Sequence, residues 1–120
     1  MKILVIEDDE NIVDYIVNIF QIAWPKAEVL NTPTGKKGID FVLDEHPDAV
    51  LLDLGLPDID GFEVLKEIRS FSNIPVIIVT GITKDFERFI STRKQVPPPD
   101  GYISKPIDQD EMLKLVEKLI

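Results

Sequence analysis

The sequence predicts an α/β fold in which a doubly wound, five-stranded parallel sheet carries helices on both faces. Two observations support this prediction. Three short runs, at residues 3–6, 49–52 and 76–79, are aliphatic at every position, which is typical of parallel strands that are covered on both faces. Amphipathic stretches with helical spacing follow these runs, so strand and helix alternate along the chain.

The first half of the chain contains two predicted helices and one weaker strand. Apolar residues recur at helical spacing over residues 11–24, and Pro25 ends that pattern. Residues 27–30 form a weaker strand candidate because a glutamate interrupts their apolar pattern. A second helix is predicted over residues 34–45, where Thr32-Pro33 provides a cap followed by proline.

The second half contains two helices whose starts have the spacing of a capping box, an aspartate three residues before a glutamate. These pairs are Asp60 with Glu63, for a helix over residues 61–71, and Asp108 with Glu111, for a last helix that runs to Ile120. A short strand is predicted over residues 101–104. Placing the two weaker strands at the edges gives the sheet order 2-1-3-4-5, the flavodoxin-like arrangement.

A further helix is predicted over residues 84–95, with Lys84 and Arg88 one turn apart on its outer face. On a chain with a net charge of −9 this is a basic patch, which favours an acidic partner surface; a solvated helix face is an equally good interpretation. Residues 97–99 are three consecutive prolines, which cannot continue a helix or pair in a sheet. They predict a stiff connector.

The first predicted helix carries more apolar surface than one buried face requires, because Val13, Val17 and Trp24 lie beside its core stripe. Two interpretations remain open. The helix has either a wide buried face or a strip on which a partner docks.

Composition limits the functions that this chain can have. Its 120 residues suit one domain, residues 1–120, and contain no apolar run near the ~20 residues needed to span a bilayer. The short N-terminal apolar run stops at acidic residues and does not resemble a signal peptide, so we expect a cytoplasmic protein without a membrane partner. The net charge of −9 argues against direct contact with nucleic acid.

Residue counts also exclude several kinds of catalytic site. Cysteine is absent, which excludes disulfides, thiolate nucleophiles and zinc–thiolate centres. The only histidine is His46, which precedes a proline in a predicted loop. A catalytic triad or a multi-histidine metal site would therefore depend on that one residue, and a solvated loop histidine is the better interpretation.

The informative residues follow the predicted strands. Strand 1 runs into Glu7-Asp8-Asp9 and strand 3 into Asp53. In an open α/β sheet, ligands bind outside the carboxyl ends of the strands, where the strand order reverses. Carboxylates that converge there repel one another unless a cation intervenes. Hard oxygen ligands at a partly open site favour Mg²⁺.

Strands 4 and 5 add a hydroxyl and an ammonium group, because they end at Thr80 and Lys105. An aspartate beside Mg²⁺, faced by a lysine and a hydroxyl, has the parts needed for phosphoryl transfer. Asp53 would be the nucleophile, Lys105 would neutralise phosphoryl oxygens, and Thr80 would donate a hydrogen bond to one of them. An aspartate is ionised at pH 7 and needs no base.

These motifs resemble the receiver domains of response regulators in bacterial two-component signalling, and the resemblance covers essentially the whole chain. It rests on four motifs in order: residues 5–9 (VIEDD), residues 51–57 with Asp60-Gly61 (LLDLGLP and DG), residues 79–81 (VTG) and residues 102–106 (YISKP). The resemblance implies a phosphoacceptor switch. A sensor histidine kinase or a phosphotransfer protein would supply the phosphoryl group, and a downstream effector domain or protein would respond to it.

The resemblance also implies roles for single residues. Asp53 is the phosphoacceptor and a metal ligand, Asp8 is the direct ligand, Glu7 holds the metal through water, and the backbone carbonyl of Gly55 is a further ligand. Asp9 is expected to assist the acidic cluster without binding the metal.

On the switch side of the site, Thr80 and Lys105 hold the phosphoryl group. Tyr102 is the aromatic residue whose ring moves inward when Thr80 is drawn to the phosphate. The bond between Lys105 and Pro106 is a candidate cis peptide bond, since X–Pro bonds adopt that form at low cost.

In this family, side chains two residues after the acceptor and two after the threonine influence hydrolysis of the phosphoryl group. Here they are Gly55 and Ile82, neither of which can orient a water molecule, so we expect a fairly long-lived phosphoryl state. The chain is expected to catalyse its own phosphorylation and dephosphorylation and is not expected to be an enzyme acting on another substrate.

Three alternative functions fit the sequence less well. A Mg²⁺-dependent phosphatase with an aspartyl-phosphate intermediate typically needs a carboxylate two residues after the nucleophile, where this chain has Gly55. A flavin-binding protein is disfavoured because the acidic loop after strand 1 would repel a cofactor phosphate. A degenerate receiver that works without phosphorylation is disfavoured by the complete acidic set together with Thr80 and Lys105.

Overall fold

The computed structural model describes residues 1–81 and 98–120, which form one parallel sheet with helices on both faces. The strands are β1 (Lys2–Ile6), β2 (Glu28–Thr32), β3 (Ala49–Asp53), β4 (Val76–Thr80) and β5 (Gly101–Ser104). The helices of these ranges are α1 (Glu10–Ala23), α2 (Gly35–Glu45), α3 (Gly61–Arg69) and α4 (Gln109–Leu119). The strand order is β2-β1-β3-β4-β5, which confirms the predicted fold.

The strand register brings the carboxyl ends of the strands to one edge of the sheet. β1 pairs with β3 so that Ile6 lies opposite Leu52, one residue before Glu7 and Asp53 respectively. β4 pairs with β5 so that Thr80 lies opposite Ser104. Because all pairings are parallel, the residues that follow the central strands meet at this edge.

Two hydrophobic cores cover the two faces of the sheet. α2 and α3 bury one face with residues such as Val42, Val64 and Leu65. α1 and α4 bury the other face with residues such as Phe20 and Met112. Every residue of β3 and β4 is buried, which explains why these strands are apolar at every position except their last.

The helices begin at side chains that accept backbone N–H groups. Asp108 accepts from Glu111 at 2.9 Å, as the capping-box spacing indicates, whereas Asp60 accepts from Phe62, two residues on, at 2.8 Å. The start of α2 differs from the sequence interpretation, because its cap is Thr34 and the preceding Thr-Pro pair lies outside the helix. β2 continues as far as Thr32, so the threonine expected to cap α2 belongs to a strand.

α1 begins at Glu10, one residue before the predicted start. Asp9 accepts the backbone N–H groups of Asn11 at 2.9 Å and Ile12 at 3.4 Å, and it is therefore the cap of α1. At the other end of α1, the ring of Trp24 stacks on Phe20 with centroids 5.6 Å apart and packs against the core. Trp24 thus contributes to a wide buried face, and the alternative of a docking strip does not apply to it.

The helix expected over residues 84–95, with Lys84 and Arg88, lies outside the described residues, as does Ile82.

The last part of the proline connector is described, and Asp100 anchors it. The carboxylate of Asp100 accepts the N–H of Val76 at 2.8 Å and pairs with Arg69 at 2.5 Å. These contacts fix the chain where β5 begins. Each helix within residues 1–81 and 98–120 is too short or too polar to span a bilayer.

Candidate functional site

Three carboxylates meet at the carboxyl edge of the sheet. Glu7 and Asp8 follow β1, and Asp53 ends β3. One oxygen from each lies within 4.8 Å of the others, so the convergence expected from the strand ends is present. The three differ in exposure, because Glu7 is 4% exposed and Asp53 8%, whereas Asp8 is exposed. The cluster therefore has a buried side and an open side.

Lys105 supplies the positive charge of this site. Its backbone N–H donates to the carbonyl of Thr80 at 2.8 Å, which fixes it to the end of β4, and its peptide bond to Pro106 is cis. Its Nζ lies 2.8 Å from Glu7 Oε1 and 3.4 Å from Asp53 Oδ1. The ammonium group is thus held more closely by Glu7 than by the expected phosphoacceptor.

The cluster raises the pKa values of two of its members. Burial is the main cause that raises the pKa of Glu7 to about 7, and protonated Glu7 can also donate a hydrogen bond to Asp53. Burial alone would lower the pKa of Lys105, but the hydrogen bond to Glu7 and the charge of Asp53 outweigh it and raise that pKa. The buried acids and the ammonium group therefore depend on one another for their charge states.

This donor set fits a divalent cation. Once Glu7 has lost its proton, the three carboxylates and one ammonium group carry two net negative charges, which one divalent ion would balance. Glu7 Oε2 is buried and accepts no hydrogen bond from the described residues, and such an atom needs a cation or an ordered water. All these donors are carboxylate oxygens, which Mg²⁺ prefers.

Thr80 and Tyr102 lie on neighbouring strands beside the cluster. Thr80 is buried at the end of β4, and Tyr102 lies on the edge strand β5 opposite Ile78. Side chains alternate between the faces of a sheet, and Ile103 packs into the α1–α4 core. Tyr102 therefore faces the other side, the same side as Ile78 and Thr80. Tyr102 is 37% exposed.

Two glycines next to Asp53 have opposite surroundings. At Gly55 an added Cβ would meet only Asp53 Oδ2, at 3.8 Å, so there is room for a side chain. At Gly61 an added Cβ would lie 2.7 Å from the Asp53 carbonyl oxygen and 2.7 Å from Leu54 Cα. Gly61 also donates its N–H to Leu54 at 3.2 Å. The start of α3 thus packs directly on the backbone that carries Asp53.

Sequence reasoning missed one residue of this region, Asp58. Its carboxylate accepts the N–H groups of Gly35 at 2.8 Å and Lys36 at 2.9 Å. No sequence pattern could have revealed this contact, because the partners are 23 and 22 residues earlier in the chain and belong to another loop–helix junction.

Two grooves open beside the cluster, on opposite sides of α1. One, of about 680 Å³, is mostly apolar and is lined by Asn11, Ile12, Tyr15, Lys105, Pro106 and Ile107. The hydroxyl of Tyr15 donates to the carbonyl of Ile107 at 3.3 Å, which joins α1 to the segment that follows Pro106. The other, of about 380 Å³, is acidic, and its lining includes Val13 and Val17. These two valines are therefore half-buried groove residues, neither fully packed nor freely exposed.

Comparisons with known proteins agree on one family. The family model of the response regulator receiver domain matches residues 3–117. The response regulator ArlR of Staphylococcus saprophyticus is 30% identical over 119 residues, which are 99% of this chain and 52% of that protein. The chain thus spans about half the length of the curated relatives that it matches.

Solved structures have the same fold. The receiver domain of the Francisella response regulator 1452 superposes with a TM-score of 0.83 at 28% identity, covering 98% of this chain and 94% of that one. The receiver domain of a sensor histidine kinase from Pseudomonas aeruginosa gives a TM-score of 0.83 at 23% identity, covering 98% and 95%. That second structure has a magnesium ion coordinated in its active-site cleft.

Proposed function

This chain belongs to the response regulator receiver domain family, and we propose that it is a signalling switch that accepts a phosphoryl group on Asp53. The donor would be the phosphohistidine of a sensor histidine kinase or of a phosphotransfer protein. The observation that carries this proposal is the convergence of Glu7, Asp8 and Asp53 at one edge of the sheet, with the ammonium group of Lys105 beside Glu7 and Asp53.

We assign the metal to the open side of the cluster. Asp8 and Asp53 would bind Mg²⁺ directly, Glu7 would hold it through water, and the carbonyl of Gly55 would be a further ligand. The two negative charges of the cluster and the unpartnered Oε2 of Glu7 support this assignment, and receiver domains usually bind Mg²⁺. When bound, Mg²⁺ supplies positive charge that neutralises the phosphoryl oxygens.

The transfer itself needs few groups. A carboxylate oxygen of Asp53 attacks phosphorus, so a P–O bond forms while the P–N bond of the phosphohistidine breaks. The electron pair of that bond goes to the imidazole nitrogen, which takes up a proton. Lys105 stabilises the charge on the phosphoryl oxygens, and the hydroxyl of Thr80 donates to one of them.

The switch would begin at Thr80. A phosphoryl group on Asp53 would draw the Thr80 hydroxyl towards it and leave space that the ring of Tyr102 can enter. The shared face of Thr80 and Tyr102 on neighbouring strands supports this step, because such diagonal neighbours are within reach of an aromatic side chain. The result would be a changed surface for the downstream effector domain or protein.

The apolar groove beside Lys105 offers a docking surface for the phosphodonor. It lies next to the acidic cluster and is lined by Ile12, Tyr15 and Ile107. A helical donor protein could bury apolar side chains there while its phosphohistidine reaches Asp53.

We further propose that residues 1–120 form a single receiver domain, that it works in the cytoplasm without binding nucleic acid or membrane, and that it catalyses only its own phosphorylation and dephosphorylation.

Metal binding and phosphorylation can be tested in one preparation. Mg²⁺ should cause saturable changes in the amide chemical shifts near Asp8 and Asp53. In Asp8→Asn these changes should require a much higher Mg²⁺ concentration. Trp24 is a poor reporter of binding, because it lies at the far end of α1, about 20 Å from the cluster at 1.5 Å per residue. Acetyl phosphate should then add one phosphoryl group in wild type only when Mg²⁺ is present. Equal labelling in Asp53→Ala would overturn the proposal.

A further inference from the structure

We infer that Asp58 is a positioning residue, which holds the loop between β3 and α3 in the shape that presents Gly55 to the metal. This inference rests on the proposed function, since it concerns the same site. Asp58 does not touch the acidic cluster. It acts through the backbone of the loop that joins Asp53 to α3.

The contact that carries this inference is a two-pronged cap. Asp58 Oδ1 accepts the N–H of Gly35 at 2.8 Å, and Oδ2 accepts the N–H of Lys36 at 2.9 Å. Both donors belong to the first turn of α2, where the helix dipole favours a negative charge. A carboxylate that is bound at both oxygens has a defined orientation, so this cap ties residue 58 to α2.

The charge state of Asp58 agrees with this contact. Its slight burial would raise its pKa, but the backbone N–H groups of Lys36 and Gly35 outweigh that effect and lower the pKa. The carboxylate is therefore ionised near neutral pH, and the cap does not depend on pH there.

The packing around Gly35 makes the tie rigid. A Cβ added at Gly35 would lie 2.6 Å from Val64 Cγ2 and 2.7 Å from Ile59 Cγ1. The first residue of α2 is therefore pressed against α3 and against the loop itself. Ile59 also packs into the core below. Cap and packing together hold the second half of the loop, residues 58–60, against α2.

This anchoring matters at Gly55, three residues before Asp58. Gly55 is exposed, and a Cβ added there would meet only Asp53 Oδ2, at 3.8 Å, so side-chain packing around this position does not fix its backbone. The position of its carbonyl then depends on the two ends of the loop, which are Asp53 in the sheet and Asp58 on α2. Small displacements of a ligand lower metal affinity strongly.

The test compares Mg²⁺ affinity in Asp58→Ala and Asp58→Asn with that in Thr34→Ala. Thr34 caps the same helix through Lys37 at 3.4 Å, and within residues 1–81 and 98–120 its hydrogen bonds go to α2. Thr34→Ala therefore reports the cost of a weakened α2 start alone. We expect Asp58→Ala to raise the Kd for Mg²⁺ roughly 10-fold, Asp58→Asn to raise it less, and Thr34→Ala to leave it unchanged. All titrations follow the amide shifts of folded protein.

Removing the negative charge of Asp58 would also weaken Mg²⁺ binding through long-range electrostatics. Titration at high salt distinguishes this charge effect from the loss of positioning. At about 0.5 M KCl, long-range electrostatic effects between exposed groups are largely screened, so a positioning effect persists there and a charge effect disappears. The inference is overturned if the Asp58 variants bind Mg²⁺ as wild type does, or if their defect vanishes in salt. Loss of binding in Asp8→Asn beside normal binding in Asp58→Ala would leave the proposed function intact. If the wild-type protein does not bind Mg²⁺, both the inference about Asp58 and the proposed function are wrong.

Discussion

Replacing Gly61 by alanine places a methyl group against the backbone that carries Asp53. The added Cβ would lie 2.7 Å from the Asp53 carbonyl oxygen, 2.7 Å from Leu54 Cα and 2.9 Å from Leu54 Cδ2. Two of these three atoms belong to the backbone and cannot rotate away. The end of β3 and the start of α3 must therefore separate, and Asp53 must move with its strand.

The expected loss of stability follows from two opposing contributions. Overpacking of this kind costs about 1–3 kcal/mol, while alanine in place of glycine at a helix start recovers up to about 1 kcal/mol of conformational entropy. A net loss of about 1–2 kcal/mol corresponds to a decrease in Tm of roughly 5–10 °C for a domain of this size. Circular dichroism during thermal unfolding measures it.

Gly55→Ala is the matched control, since it adds the same methyl group on the other side of Asp53. Its Cβ would meet only Asp53 Oδ2, at 3.8 Å, and no glycine among the described residues has a positive φ. Its Tm should therefore equal or slightly exceed that of wild type.

The rate of phosphorylation by acetyl phosphate, measured well below either Tm, should fall in Gly61→Ala even though the protein is folded, because the nucleophile has moved. A Gly61→Ala protein with wild-type Tm and rate would refute this reasoning. So would an equal loss of stability in Gly55→Ala.

Three further predictions concern the acidic cluster. In metal-free protein the pKa of Glu7 is raised from 4.5 to about 7, so the folded state retains a proton that the unfolded state releases. The contribution of Glu7 to the unfolding free energy should therefore decrease as the pH rises through this window. When the unfolding free energy is measured with urea in EDTA at a series of pH values, Glu7→Gln should reduce its slope against pH in this window. An unchanged slope contradicts this. Lys105→Ala should still bind Mg²⁺ but lose much of the amide shift change at Tyr102 on phosphorylation, and a full shift would exclude its coupling role. Gly55→Asn should shorten the lifetime of the phosphoryl group, because the open space beside Asp53 then holds a side chain that can orient water. The lifetime is measured from the decay of the phosphoryl group after the donor is removed. If it equals the lifetime in Gly55→Ala, this position does not control hydrolysis.

The sheet and the acidic cluster could be predicted from the sequence because their signals are local. β3 and β4 are apolar at every position but the last, and buried parallel strands have few other compositions. The acids follow strands directly, so the rule that ligands bind at carboxyl ends of strands was enough to bring Glu7 and Asp53 together.

The contacts that could not be predicted join segments that are distant in sequence. Asp58 caps α2 from another loop, and only the folded chain brings the two together. The same holds for Lys105, whose ammonium group lies closer to Glu7 than to Asp53, a preference that depends on side-chain packing. Asp9 and Thr34 show a second reason, because several polar residues near each helix start can cap it and the sequence does not specify which one does.

The measurement that tests the central claim most directly is chemical mapping of the phosphorylated residue. Borohydride reduces an aspartyl phosphate to homoserine, so peptide mass spectrometry after treatment with acetyl phosphate and Mg²⁺ identifies the acceptor. We predict homoserine at residue 53 alone, and none when EDTA replaces Mg²⁺. Homoserine at Asp8, or a phosphoryl group that resists both borohydride and hydroxylamine, would contradict the assignment of Asp53 as the phosphoacceptor.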